Sequence, residues 1–183
     1  DHTRLMVCFG GIPLKNGQIS QGGTGRHVQR DGVQAAAAAG VRFVNISPMR
    51  SDMPDMAKQD WLAIRPGTDT ALMLALAHTL WSEGLADTGF LNRYTSGFDR
   101  FLPYLMGESD GQPKSADWAA SITDIPAGQL RDLARQMAAT RTMISVSWSL
   151  TRQDHGEQPF WAAITLAAML GQIGLPGGGF GFG

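Results

Sequence analysis

The chain has 183 residues, 43% of them hydrophobic, and a formal net charge of -1 from 15 Lys and Arg against 16 Asp and Glu, which is the size of one ordinary globular domain with enough apolar side chains for a core. No run of either sign leaves a basic footprint for the phosphates of DNA or RNA, and no stretch of roughly 18 apolar residues is available to span a bilayer. The one cysteine, Cys8, lies inside the apolar run LMVCF and reads as a buried strand residue, so no disulfide framework or thiolate metal cluster can form within the chain.

Taken in chain order, short apolar runs rich in β-branched and bulky residues alternate with longer segments of helical period. The expected strands are Leu5 to Phe9, Val41 to Ile46, Trp61 to Ile64 and Met143 to Trp148. Between the first two, RHVQRDGVQAAAAAG offers good helix formers and a Gly40 stop, which makes a β-α-β unit. Thr68 is placed to cap the next helix, in which Leu72, Leu76 and Leu80 repeat every four residues until Gly84.

Phe98, Phe101, Leu102 and Leu105 then fall at helical spacing, with Pro103 shortening or kinking the element. A small helical insertion over about 85–123 is expected, with Ser115 capping SADWAASI. Pro126 opens a helix whose stripe is Leu130, Leu133, Ala134 and Met137. The last helix is expected from Glu157 to Gln172, with Phe160, Ile164, Ala167 and Leu170 turned inward and Pro176 preventing its continuation. The chain opens on Asp1 and closes on the glycine-rich GLPGGGFGFG, which reads as an end that could not seal a core, and so as a piece of a longer protein. The pattern as a whole is that of an α/β domain, a mainly parallel sheet between helical layers.

In an open parallel sheet, ligands collect beyond the carboxyl ends of the strands. After the first strand comes GGIPLKNGQISQGGTG, longer than the usual connection, with Gly10 for close backbone approach and Lys15, Asn16, Gln18 and Ser20 as polar groups. It reads either as a ligand loop or as a mobile surface loop. A dinucleotide fingerprint of the G-x-G-x-x-G type is missing, which disfavours ordinary NAD binding. After the second strand, ISPMRSD supplies Ser47, Pro48, Arg50, Ser51 and Asp52, at a position where a ribose is often held, or where a Ser-Pro turn simply begins.

RPGTD places Asp69 in the first turn of a helix, where a carboxylate meets the helix dipole favourably. The alternative is that its two oxygens accept the N1-H and exocyclic amine of a guanine. After the fourth strand, SWSLTRQDHGEQPFW clusters Arg152, Gln153, Asp154, His155 and Glu157 beside Ser147 and Ser149, as a polyanionic or heteroatom-rich ligand would require, or as a solvated loop would also show. No metal spacing accompanies His155, which reads as a surface or capping histidine. The residues alone point to a nucleotide-like ligand site.

FGGIPLKN, VNISPMRSD, RPGTDTALMLALAHTL, WSLTRQDHGEQ and LAAMLGQIGLPGGGFGFG, in this order and spacing over essentially the whole chain, resemble the molybdenum oxidoreductases of the dimethyl sulfoxide reductase family. The likeness is to the S- and N-oxide reductases among them, with SWSL leaning towards the biotin sulfoxide reductase branch. The resemblance implies that residues 1–183 form one Rossmann-like, three-layer α-β-α domain of a larger multidomain enzyme. This domain would grip one of two molybdopterin guanine dinucleotides, which together hold molybdenum.

By that match, Gly10 is a cofactor-binding residue, Lys15 and Asn16 belong near the pterin or phosphates, Ser47 and Pro48 near the guanosine, and Asp69 on the guanine. Ser149, Leu150, Arg152 and Gln153 would line the pterin side. The family pattern carries an acidic residue where Ser47 stands. The implied reaction is two-electron oxygen-atom transfer from a sulfoxide or N-oxide, with electrons from an unidentified donor.

The resemblance assigns no catalytic or metal-ligating residue here. The serine ligand of the metal belongs to a segment not found in the chain, and neither Ser147 nor Ser149 takes that role. The fragment alone is expected to be inactive, with the remaining domains of the same polypeptide as its partners and the cytoplasm as its compartment, the periplasm being the alternative. Two other readings stay open from the residues: a free-standing nucleotide-binding regulatory or interaction module of the same fold, and the weaker one of an NAD-dependent dehydrogenase domain.

Overall fold

In a computed structural model, which describes residues 2–18 and 25–183, the chain forms an α/β structure around one five-stranded, wholly parallel sheet. The strands are β1 (Leu5–Phe9), β2 (Arg42–Ile46), β3 (Asp60–Leu62), β4 (Thr142–Val146) and β5 (Gly179–Phe182). Among the described residues there are seven α-helices: α1 (Gln29–Ala38), α2 (Asp69–Ser82), α3 (Thr88–Tyr94), α4 (Phe98–Leu105), α5 (Ala116–Thr123), α6 (Ala127–Ala139) and α7 (Gln158–Met169). None is long and apolar enough to cross a membrane.

The strands lie in the order β3-β2-β1-β4-β5. Chain order therefore runs outward from β1 in one direction through β2 and β3, and in the other through β4 and β5. Connections on the two sides of β1 leave towards opposite halves of the sheet, and the reversal opens a crevice beyond the carboxyl ends of β1, β2 and β4.

Alternation along the strands assigns the two faces. Leu5, Val7 and Phe9, with Val44, Ile46, Ile144 and Val146, point to one side and join Leu72, Leu76, Leu80, Leu130, Met137 and Leu166 in the main core. The stripe Leu130, Leu133, Ala134 and Met137 is buried as its spacing predicts. Cys8 and Phe43 point to the other side, into a smaller cluster with Val33, Met53 and Ala57 under α1 and its neighbouring turn. Burial pushes the Cys8 thiol up to about 12, so it is an inert core group. The three layers are thus unequal, thick over one face and thin over the other.

Three expectations are corrected. The glycine-rich end does pair: β5 adds to β4 in parallel, and Phe182 sits edge-on to Phe160 at 5.0 Å while Trp148 stacks on Phe160 at 5.4 Å. Aromatic side chains here supply the burial that the glycines lack. The third strand is shorter and earlier than Trp61 to Ile64, because Ile64 turns down into the core below Leu62. On α7 the buried face is Ala163, Leu166, Ala167 and Leu170; Ile164 is 41% exposed and lies on the outer side, next to Trp161 at 71%. Within 85–123, α5 packs against both α2 and α6 through Ala116 and Ala119, as part of the thick layer.

Candidate functional site

The site is built where three strand tips are fastened together. The Gly10 N-H donates to Ile46 O at 2.8 Å and the Ser147 N-H to Phe9 O at 2.9 Å, which carries the ladder one residue beyond each strand. Gly10 has a φ of +79°, and a Cβ there would come within 2.5 Å of Leu150 Cδ1 and 2.8 Å of the Ser147 Cβ. Only glycine lets the β1 turn and the segment after β4 approach this closely.

Two hollows open above these tips. The first, about 380 Å³, is lined by Gly10, Ser47, Pro48, Asp52, Pro66, Gly67, Asp69, Ser149, Leu150, Arg152 and Gln153. The second, about 710 Å³, lies over the thin side of the sheet between the β1 loop (Ile12, Pro13, Lys15, Asn16) and the end of the sheet (Ser145, Ser147, Trp148, Phe182), and shares Ser149 and Arg152 with the first. Both volumes fall in the range of small-molecule sites. Together they form one groove with Ser149 and Arg152 on the rim between its halves.

Every residue singled out from the sequence for cofactor binding lines this groove: Gly10, Ser47, Pro48, Asp69, Leu150 and Gln153 in the first hollow, Lys15 and Asn16 in the second, Ser149 and Arg152 in both. The grouping differs from the expectation in one respect. Leu150 and Gln153 stand with Asp69, not with Lys15, because the 3₁₀ turn Trp148–Thr151 folds the chain back across the strand tips.

The segment after β4 is also divided. Ser147, Ser149, Leu150, Arg152 and Gln153 face the groove, whereas Asp154, His155 and Glu157 do not line it. His155 lies 4.0 Å from Asp154 and 3.9 Å from Glu157, out in solvent. Gln18 is exposed and lines neither hollow, and Ser20 lies outside the described residues.

The first hollow carries two carboxylates, Asp52 and Asp69, with Arg152 at its rim. Asp69 opens α2 and is 5% exposed; burial raises its pKa to about 6, with only a hydrogen bond from its own backbone N-H acting the other way. Thr68 does not cap that helix, since its hydroxyl donates to Arg65 O at 2.7 Å instead. Ser47 is 1% exposed, and its single proton is committed: Oγ donates to Asp52 Oδ2 at 2.6 Å, while the Met49 N-H reaches the same oxygen at 3.4 Å. In the sequence Ser47 and Pro48 stand directly at the strand tip, and Asp52 lies five residues beyond Ser47. Asp52 comes to the β2 tip because Arg50–Asp52 makes a 3₁₀ turn, a return that residue spacing does not announce. Among the described residues, no three of His, Cys, Asp and Glu converge as a metal site would need.

The pattern of acceptors and donors fits an elongated ligand with neutral donors at one end and negative charge towards its middle. The buried Asp69 carboxylate suits the paired donors of a guanine edge, and the hollow beside it has room for a purine. Arg152 on the shared rim and Lys15 beyond it are the groove's cations, and they suit phosphate oxygens. The residues present therefore have the chemistry of a site for an elongated, partly anionic ligand.

Comparison with known proteins locates this arrangement. The family model described as "Molybdopterin oxidoreductase" matches residues 1–183. The chain is 48% identical to a biotin sulfoxide reductase of Cereibacter sphaeroides over 183 residues, all of this chain and 25% of that protein. It is 49% identical to a dimethyl sulfoxide/trimethylamine N-oxide reductase of the same organism over 181 residues, 99% of this chain and 22% of that protein. The chain thus spans about a quarter of the length of these curated relatives. Among solved structures, acetylene hydratase from Pelobacter acetylenicus superposes with a TM-score of 0.69 at 26% identity, over 93% of this chain and 22% of that one.

Proposed function

Since the chain belongs to the molybdopterin oxidoreductase family, we propose that it is the cofactor-gripping part of an S- or N-oxide reductase of the biotin sulfoxide reductase kind, and that its ligand is a molybdopterin guanine dinucleotide. Family membership implies a molybdenum-pterin cofactor, which when bound supplies two-electron oxygen-atom transfer. This chain's own residues bind and orient that group. In this reading the guanine lies in the first hollow against Asp69, the pyrophosphate crosses the rim at Ser149 and Arg152, and the pterin extends into the second hollow beside Lys15, Asn16 and Ser147.

One observation carries the reading: a carboxylate 5% exposed stands at the wall of an open hollow with no cation among the causes of its pKa shift. An ionised carboxylate buried this far is costly unless something pairs with it, and a guanine edge offers two neutral donors at the right spacing. The two acids also direct the ligand, because phosphate is repelled from Asp52 and Asp69 and drawn to Arg152 and Lys15. Likeness to the reductases over the full chain favours this account over a free-standing nucleotide module.

The test uses the full-length polypeptide that contains this chain. The purified protein is expected to hold molybdenum and a guanine-bearing pterin, and to reduce members of a panel of sulfoxides and N-oxides with a chemical reductant. Arg152→Ala is expected to lower molybdenum and pterin content several-fold. A variant that retains its full cofactor load refutes the rim assignment, and a protein inactive on the whole panel refutes the reaction class.

A further inference from the structure

Asp52 is a side chain to which no role attaches in the reading above beyond its charge, yet the structure fixes it with unusual thoroughness. Its backbone N-H donates to Met49 O at 3.1 Å, and its carbonyl accepts the Ile12 N-H at 2.8 Å. Gly11, at φ +69°, packs so tightly on that carbonyl that a Cβ there would overlap it. From below, the buried Asn45 amide reaches Gln59 Oε1 at 2.6 Å and Arg50 O at 3.3 Å, and Gln59 in turn donates to Arg50 O at 3.1 Å and Met53 O at 3.2 Å. The three-residue turn is thereby tied to β1, β2 and the approach to β3.

What this framework presents is a half-buried carboxylate at the tip of the second strand, in the wall of the first hollow. Oδ2 takes the Ser47 hydroxyl at 2.6 Å, and Oδ1 has no protein donor among the described residues. No ion pair with a described cation neutralises it. A carboxylate locked in place with one oxygen free and no cation beside it suits a ligand bringing neutral hydroxyl donors, and it disfavours phosphate by charge. In doubly wound folds that bind nucleotides, the tip of the second strand is where ribose hydroxyls are held, by an acidic side chain with both oxygens as acceptors. The residue directly at the tip here is Ser47, whose single proton is already donated to Asp52.

We propose that Asp52 is the ribose-binding residue of this groove, taking the sugar hydroxyls of the bound nucleotide on its carboxylate, and that Ser47 is a positioning residue that holds that carboxylate at the strand tip. The inference rests on the reading that a guanine nucleotide occupies the first hollow. It adds a sugar specificity independent of the base. With the guanine against Asp69 and the ribose against Asp52, the first phosphate is left facing the rim at Ser149 and Arg152.

The experiment measures binding of GDP, 2′,3′-dideoxy-GDP and ADP by calorimetry to the full-length polypeptide, purified free of cofactor from a host unable to make the pterin. Wild type is expected to prefer GDP over dideoxy-GDP by roughly tenfold to a hundredfold, the scale of a hydrogen bond to a charged group. In Asp52→Asn that ratio is expected to fall to about threefold or less, while the preference for GDP over ADP is kept. The kept base preference shows that the variant's site is intact. Ser47→Ala is expected to lower the sugar ratio partway without touching the base ratio.

An unchanged sugar ratio in Asp52→Asn overturns the proposal. Equal binding of GDP and ADP by wild type overturns the guanine reading, and leaves the sugar arm to be judged on the two guanine nucleotides. No measurable binding of any nucleotide by wild type overturns both.

Discussion

Asp69 is where a single side chain couples the fold to its ligand. Burial holds its carboxyl at about 6 against an ordinary value of 3.8. The folded-state pKa is the higher one, so the stability contributed by its protonated form is complete below about 3.8 and is lost as the pH rises through about 6. That loss is on the order of 3 kcal/mol in cofactor-free protein. Asp69→Asn removes the loss: urea denaturation should find the variant more stable than wild type at pH 7.5, with the difference closing towards pH 4. Guanine nucleotide binding carries the opposite sign, because only the ionised carboxylate accepts from both donors. Affinity for GDP in the wild type should climb through the same window and stay flat in Asp69→Asn. A wild-type profile without that rise would separate Asp69 from the base.

At the scale of elements, the strand tips were legible and their closing partners less so. β1, β2 and β4 follow from runs such as LMVCF and MISV, because β-branched and bulky residues on a two-sided buried sheet leave a continuous apolar signature. β5 leaves none: GFGF has low strand propensity, and what holds it is Phe182 against Trp148 and Phe160, contacts made across the fold. Phe182→Ala should therefore cost about 2 kcal/mol, read as a lower urea midpoint. It should also open the second hollow, whose lining includes both Trp148 and Phe182. An unchanged midpoint would mean that β5 adds nothing to the sheet. The inner face of α7 was misread at Ile164 for a related reason, since a helix apolar on nearly all sides does not say which side is covered. Asp52 was hidden by a turn: only the return of Arg50–Asp52 towards β2 brings it to the Ser47 hydroxyl.

For the molecule as a whole, the groove exists because a chain that folds outward from its first strand in two directions must leave a gap where the directions part. The ten residues read from the sequence converge there, yet they come from loops after β1, β2, β3 and β4 and owe their proximity to the sheet order alone. That order also has a consequence in time. Leu5 pairs with Thr142, so neighbours in the middle of the sheet are separated by most of the chain. On a ribosome, β1 waits beside β2 with a bare hydrogen-bonding edge until β4 emerges, and such an edge invites pairing with a foreign chain. Refolding from urea should be slow, in the range of milliseconds to seconds or longer, with a yield that falls as protein concentration rises; stopped-flow fluorescence and a dilution series read both, and a fast, concentration-independent recovery would contradict the expectation. The rim contributed by Arg152 is completed only after that wait. Nucleotide capture is thus among the last events of maturation, and a nascent chain stalled before β4 owns Asp52, Asp69 and the outlying Lys15 but not the arginine of the rim where the two hollows meet.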